Sequence, residues 1–152
     1  MPSGKTKKDD RRYPQRPILG VGALIFSRNR ILLVERGKPP LQGYWSLPGG
    51  VVEVGERLED GIRREVREET GLEVTPIKVA TIFERIILDA NGKTEYHYVL
   101  IDYLCRPRGG HIRAGSDVSA LAWVRKEDLH HYRLTEGTLP VILNAFGQRR
   151  KK

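Results

Sequence analysis

Seven carboxylates fall between residues 53 and 69: Glu53, Glu56, Glu59, Asp60, Glu65, Glu68 and Glu69. Glu65, Glu68 and Glu69 are spaced i, i+3 and i+4, so on a helix they point into one sector. Clustered like charges cost a helix a few tenths of a kcal/mol per pair, so something cationic should compensate. Oxygen donors without His or Cys suit Mg²⁺ or Mn²⁺ rather than zinc. Magnesium takes few carboxylates and leaves positions for water and phosphate oxygens. The cluster therefore points to a metal site that receives a phosphate-containing ligand. The competing reading is a solvated helix face, because Arg63, Arg64 and Arg67 interleave the acids. The preceding loop, Leu47-Pro48-Gly49-Gly50, can present backbone groups to a metal or phosphate and favours the metal site.

These acids need elements to position them. The pattern predicts a helix from about Arg57 to Thr70, with Ile62 and Val66 anchoring it and Gly71 at its C-terminal stop. Gly61, one turn before Glu65, leaves room beside the acids. Ile18 to Phe26 and Ile31 to Val34 read as a hairpin, and Val74 to Leu88 as a long strand broken at Pro76. Asn91-Gly92 marks a turn into a return strand, Tyr96 to Cys105. Leu121 to Val124 is a further strand. A closing helix is expected from Glu136 to Phe146, with Thr135 as N-cap and Gly147 after its end; Pro140 is the weak point in it. Many strands with two helices make an α+β pattern, a mixed sheet covered by helices.

The chain has 27 Lys and Arg against 19 Asp and Glu, a net charge of +8. That balance suggests nucleic acid until the charges are located. Residues 1 to 16 and 149 to 152 each carry +4, and the body between them has 17 basic and 17 acidic residues. The surplus belongs to an expected mobile basic arm, 1 to 17, and a basic tail, 149 to 152, around one domain, 18 to 148. Nucleic acid is therefore not the expected partner. A single cysteine, Cys105, excludes an intrachain disulfide and suits a reducing compartment, so a cytoplasmic location is expected. It sits in an apolar run and reads as a buried residue. No apolar run approaches a membrane span, and no secretory signal follows the first basic residues.

Gly50, five residues, Glu56, seven residues and then Arg64-Glu65-Val66-Arg67-Glu68-Glu69-Thr70-Gly71-Leu72 resemble the Nudix box at every defined position. The approach Gly43-Tyr44-Trp45-Ser46-Leu47-Pro48-Gly49 is similar to that family's lead-in. The resemblance implies a Nudix-type α/β/α sandwich, with a mixed β-sheet between helices. It implies a Mg²⁺- or Mn²⁺-dependent hydrolase that cleaves the pyrophosphate of a nucleoside diphosphate linked to another group. Glu65, Glu68 and Glu69 map onto the metal ligands, with Glu56 and a carbonyl of Gly49 or Gly50 as further donors. Glu65 or Glu68 maps onto the general base, and Arg64 onto the residue that holds the glutamates. An acid outside the box is often recruited in the family; Asp117 and Glu95 are the candidates. Family members commonly form homodimers.

The substrate is less legible. Arg36 and Lys38, just after the second strand, can meet phosphates. Trp45, Phe83, Tyr96 and Tyr98 can stack on a base, although strand aromatics more often fill the core. His97, His111, His130 and His131 show no metal-ligand spacing. An ADP-ribose or nucleotide-sugar pyrophosphatase is the leading reading, and a MutT-like nucleoside triphosphatase is the alternative. An RNA-decapping type and a non-catalytic binding module are weaker; the intact Glu65, Glu68 and Glu69 argue against the latter.

Overall fold

A computed structural model describes residues 11 to 150. Its elements, in chain order, are β1 (Ile18–Ser27), β2 (Arg30–Arg36), β3 (Trp45–Ser46), β4 (Gly49–Val51), α1 (Leu58–Thr70), β5 (Leu72–Leu88), β6 (Thr94–Gly110), β7 (Val118–Arg125), a short 3₁₀ helix (Lys126–His131) and α2 (Thr138–Arg150). The strands form one seven-stranded mixed sheet. β1 runs parallel to β6 from Ile18↔Tyr98 to Ile25↔Cys105 and antiparallel to β4 on its other side. β5 and β6 form a long antiparallel hairpin. β2 lies between β3 and β7 and meets β1 only at the turn, at Phe26↔Ile31 and Ser27↔Arg30.

Burial follows the two-residue period of the central strand. Val21, Ala23 and Ile25 of β1 join Ile62 and Val66 of α1 in one cluster. Leu24 and Phe26 point the other way and join Ile142, Ala145 and Phe146 of α2. A strand buried on both faces must be apolar at nearly every position, as residues 21 to 26 are. The two clusters are the two interfaces of an α/β/α sandwich. Cys105 lies in the first cluster, 3% exposed. Burial pushes its thiol up to about 12, so it is inert packing rather than a nucleophile.

Helix α1 ends as the sequence predicts. Gly71 has φ 80° and its N–H donates to the carbonyl of Arg67. A side chain there would collide with the carbonyl of His111. Pro76 does not break the strand; β5 passes through it with a register shift between Pro76 and Lys78, and such a bulge tolerates a missing donor.

Expectations at both ends of the chain are corrected. Helix α2 starts at Thr138, not Glu136, and runs beyond Gly147 to Arg150. Thr135 lies before the helix; its hydroxyl meets that of Thr138 at 2.6 Å. Pro140 then falls in the first turn, where its missing N–H costs nothing. The supposed tail residue Arg149 is helical and sits over the ring of Phe26 at 4.5 Å. At the other end, Arg12 and Tyr13 are not loose. Arg12 pairs with Glu95 at 2.8 Å, the Tyr13 hydroxyl bonds Asp89 at 2.8 Å, and the Tyr13 N–H donates to the carbonyl of Glu95. These bonds clip the start of the described chain onto the tip of the β5–β6 hairpin. Lys5, Lys7 and Lys8 of the expected arm lie outside the described residues.

Candidate active site

The acids of α1 meet the backbone of β4, a strand too short and glycine-rich to be seen in the sequence. Gly49 pairs with Gly22 so closely that any Cβ on it would run into the carbonyl of Val21. A Cβ on Gly50 would occupy the space held by the Glu65 carboxylate. Both positions therefore need glycine for close approach. The N–H of Gly49 donates to Oε1 of Glu69 at 2.9 Å, which ties the last acid of the cluster to the strand. Gly61 performs a smaller version of the same task, since a Cβ there would come within 3.3 Å of Oε1 of Glu56.

Arg64 is the hub. Its Nε and Nη2 grip Glu56 at 2.6 and 2.9 Å, a two-point fork. Nη1 donates to Glu65 at 2.9 Å and to Glu68 at 3.3 Å, and Nη2 also donates to the carbonyl of Val51 at 3.1 Å. Arg64, Glu56 and Glu65 are all less than one quarter exposed, so these charge-assisted bonds are only partly screened. The hydrogen bond from Arg64 holds the Glu56 carboxyl down to about 2. The same pairs raise the already high pKa of the guanidinium. Glu65 is pushed up by burial, against the pull of Arg64. Glu69 is pushed up to about 8, by burial first and by Glu65 in addition, although the Gly49 N–H and Arg36 pull it down.

The acids are not converged on one point. Among the described residues, no three of His, Cys, Asp and Glu are grouped to hold an ion as they stand. The reason is visible in the bonds: Arg64 draws Glu56, Glu65 and Glu68 to itself, and Gly49 holds Glu69. Nη1 of Arg64 supplies positive charge between Glu65 and Glu68. The donor set still fits a hard divalent cation, being oxygen only. Glu69 adds a second argument. In a carboxylate raised to about 8, burial outweighs the pull of Arg36 and the Gly49 N–H, and a cation beside it would restore its ionised form.

The remaining sequence candidates are dispersed. Arg36 ends β2 and faces the site. Its Nε donates to the carbonyl of Pro40 at 2.8 Å, burial lowers its pKa, and its charge acts on Glu69 and Tyr98. Lys38 and Asp117 are bound to each other at 2.6 Å, both well exposed. Trp45 packs edge-on against Tyr132, ring centroids 5.0 Å apart, beside the second core cluster. Glu95 is held by Arg12 at the hairpin tip. Tyr96 and Tyr98 stack on each other at 6.2 Å, and Phe83 lies under Arg85. Arg11, read as part of the arm, stands near enough for its charge to act on Glu65, Arg36 and Tyr98.

Two residues of this region were missed in the sequence. Asp102 and Arg85 lie on the same sheet face as Tyr98, Gly20 and Gly22. The available signal was a lone charge in the apolar run Val99–Cys105, and the Glu84-Arg85 pair between the apolar residues of Ile82–Ile87.

Comparison with known proteins bears on this geometry. A family model described as NUDIX domain matches residues 16–144. The ADP-ribose pyrophosphatase of Methanocaldococcus jannaschii is 34% identical over 113 residues, 73% of this chain and 64% of that protein. The chain thus spans just under two thirds of the archaeal protein's length. Nucleoside triphosphatase NudI of Escherichia coli is 34% identical over 109 residues, 68% of this chain and 76% of that protein. The solved MutT NUDIX hydrolase of Burkholderia pseudomallei superposes with a TM-score of 0.75 at 33% identity, covering 85% of this chain and 98% of that one.

Proposed function

The chain belongs to the Nudix family, and on that premise we propose that it is a Mg²⁺- or Mn²⁺-dependent pyrophosphohydrolase. Its substrate in this reading is a nucleoside diphosphate linked to another group, of the ADP-ribose or nucleotide-sugar type. One arrangement carries the reading: Glu56, Glu65 and Glu68 gathered by Arg64, with Glu69 tied to Gly49 and facing Arg36. Glu65, Glu68 and Glu69 would hold the ion, with Glu56 and the carbonyl of Gly50 in support. What the ion supplies when bound is neutralisation of the diphosphate and a more acidic water. The chain's own residues do the rest. Arg64 keeps the acids aligned, and Glu65 or Glu68, which share its Nη1, accepts the proton of the attacking water. Arg36 meets phosphate oxygens; Lys38 is committed to Asp117.

A nucleoside triphosphatase is the second reading, favoured by equal identity to NudI. Products separate the two. AMP and ribose phosphate from ADP-ribose support the first, and a nucleoside monophosphate with pyrophosphate supports the second. Glu69→Gln should abolish metal-dependent hydrolysis while the protein melts normally; a folded, fully active mutant overturns the assignment. A homodimer is supported by β5, an edge strand whose Ile82, Ile86 and Leu88 are more than half exposed. A cytoplasmic location is supported by the single unpaired thiol. No helix among the described residues is long and apolar enough to cross a membrane.

A further inference from the structure

Asp102 is an anomaly for a strand residue. It is 7% exposed, yet among the described residues no hydrogen bond or ion pair is made by its carboxylate. No fully buried side-chain oxygen among the described residues lacks a partner, so the carboxylate keeps a narrow contact with solvent; taking a charged group this far out of water without a partner still costs free energy. Its surroundings explain the desolvation. Parallel pairing sets Asp102 beside Gly22, and any Cβ on Gly22 would collide with Oδ1 of Asp102. Leu47 lies 3.7 Å from that same position, and Leu104, two residues along the same face of β6, packs on the second core cluster. Burial pushes the carboxyl up to about 6, with Arg85 pulling the other way.

Arg85 is the counterpart. Antiparallel pairing puts it opposite Tyr98, on the same face as Asp102. It lies over the ring of Phe83 at 5.1 Å and reaches the Thr135 hydroxyl at 3.4 Å. Burial lowers its pKa, and so does the neighbouring charge of Arg36. Asp102 and Arg85 sense each other electrostatically but do not close into an ion pair. Two opposite, largely desolvated charges thus lie on one sheet face without meeting, and the missing side chain of Gly22 is what lets the Asp102 carboxylate lie over β1.

The position of Asp102 limits what can lie against it. Gly49, Gly22 and Asp102 are register neighbours on successive strands β4, β1 and β6. The Asp102 backbone therefore lies two strand spacings, about 10 Å, from the backbone that holds Glu69, while its carboxylate leans back over Gly22, between them. That separation is comparable to the reach from a phosphate to the sugar and base of one nucleotide. A carboxylate repels phosphate, so its partner must be an uncharged donor.

We propose that Asp102, flanked by Arg85, is a specificity-determining residue that accepts a hydrogen bond from a sugar hydroxyl or a base N–H of the bound nucleotide. This rests on the nucleotide reading above, and it assigns the nucleoside end of the site to the β1–β6–β5 face. The test avoids both metal and hydrolysis. AMP, GMP, CMP and UMP are titrated calorimetrically, without divalent cations, into the wild type, Asp102→Asn and Asp102→Ala. The tightest of them should weaken about tenfold or more in Asp102→Ala. Asp102→Asn, which keeps the shape and one acceptor oxygen, should fall between. The 2′-deoxy and 3′-deoxy forms of that ligand then separate a sugar contact from a base contact: if removing a hydroxyl weakens the wild type but not Asp102→Ala, the hydroxyl is the donor. Equal affinity in wild type and both variants overturns the proposal, as does a wild type that binds none of the four. Asp102→Asn keeps the test decisive if Asp102→Ala does not fold. Because no anhydride is cleaved, failure here is distinct from failure of the Glu69→Gln assay.

Discussion

The acid-bearing face of α1 and the β1–β6–β5 sheet face carry charge in opposite ways. At the helix, Arg64 binds Glu56, Glu65 and Glu68 through four hydrogen bonds of 2.6 to 3.3 Å. On the sheet face, Arg85 and Asp102, with Arg36 at the end of β2 acting on Arg85, are largely desolvated and make no ion pairs among the described residues. The helix face satisfies itself, and under the proposed function a cation would have to compete with Arg64 for the acids. The sheet-face charges are bonded to neutral partners or to none, so a ligand of complementary polarity adds to them without breaking an ion pair. Glu69 belongs to both regions, tied to Gly49 and swayed by Arg36, and so joins the two.

The contrast can be broken most sharply at its hub. Arg64→Ala leaves Glu56 and Glu65 unpaired and lets the acids splay. Turnover should fall about 10- to 100-fold, the usual cost of losing a residue that orients metal ligands. Stability should fall by about 1–3 kcal/mol, read by urea unfolding. An unchanged rate would remove Arg64 from the machinery.

A smaller effect concerns Glu69. Its folded carboxyl is raised to about 8 from an ordinary 4.5. Its contribution to metal-free stability is therefore complete below about pH 4.5 and is lost as pH rises through about 8. Mg²⁺ binding near pH 7 should release a proton, and the release should vanish well above pH 8. Calorimetry in buffers of different ionisation enthalpy measures it; no release at pH 7 contradicts the buried, protonated state. Smallest of all is the outlying pair. Lys38→Ala should shift stability by less than about 1 kcal/mol, as expected for an exposed ion pair. A larger loss on unfolding would show that Lys38 and Asp117 brace the β2–β7 edge.

Some of this was legible in the chain. The spacing of Glu65, Glu68 and Glu69 placed them on one helix sector, and Gly71 marked the helix end, because both depend on a few neighbouring residues. Pro140 looked like an obstacle and was not, since the helix begins two residues later than its apolar pattern suggested. Gly147 looked like a stop and was not, because packing of Phe146 and the stacking of Arg149 on Phe26 carry α2 onward. Lys38 and Trp45 looked available for substrate, yet one is bound to Asp117, 79 positions away, and the other packs against Tyr132.

By itself the sequence determined the acid cluster, its oxygen-only chemistry, the helix that carries it and the glycines that approach it. These are local facts, set by the 3.6-residue period and by the lack of a Cβ. Only the tertiary structure decided which acids Arg64 gathers and by which nitrogens, and that Asp102 and Arg85 share a face with Gly22. The physical reason is register. β5 and β6 pair through four irregularities, between Glu73 and Val74, Pro76 and Lys78, Val79 and Thr81, and Ile87 and Leu88. Each shift of one residue reverses which side chains face the site, and packing against both helices, not local spacing, selects among them.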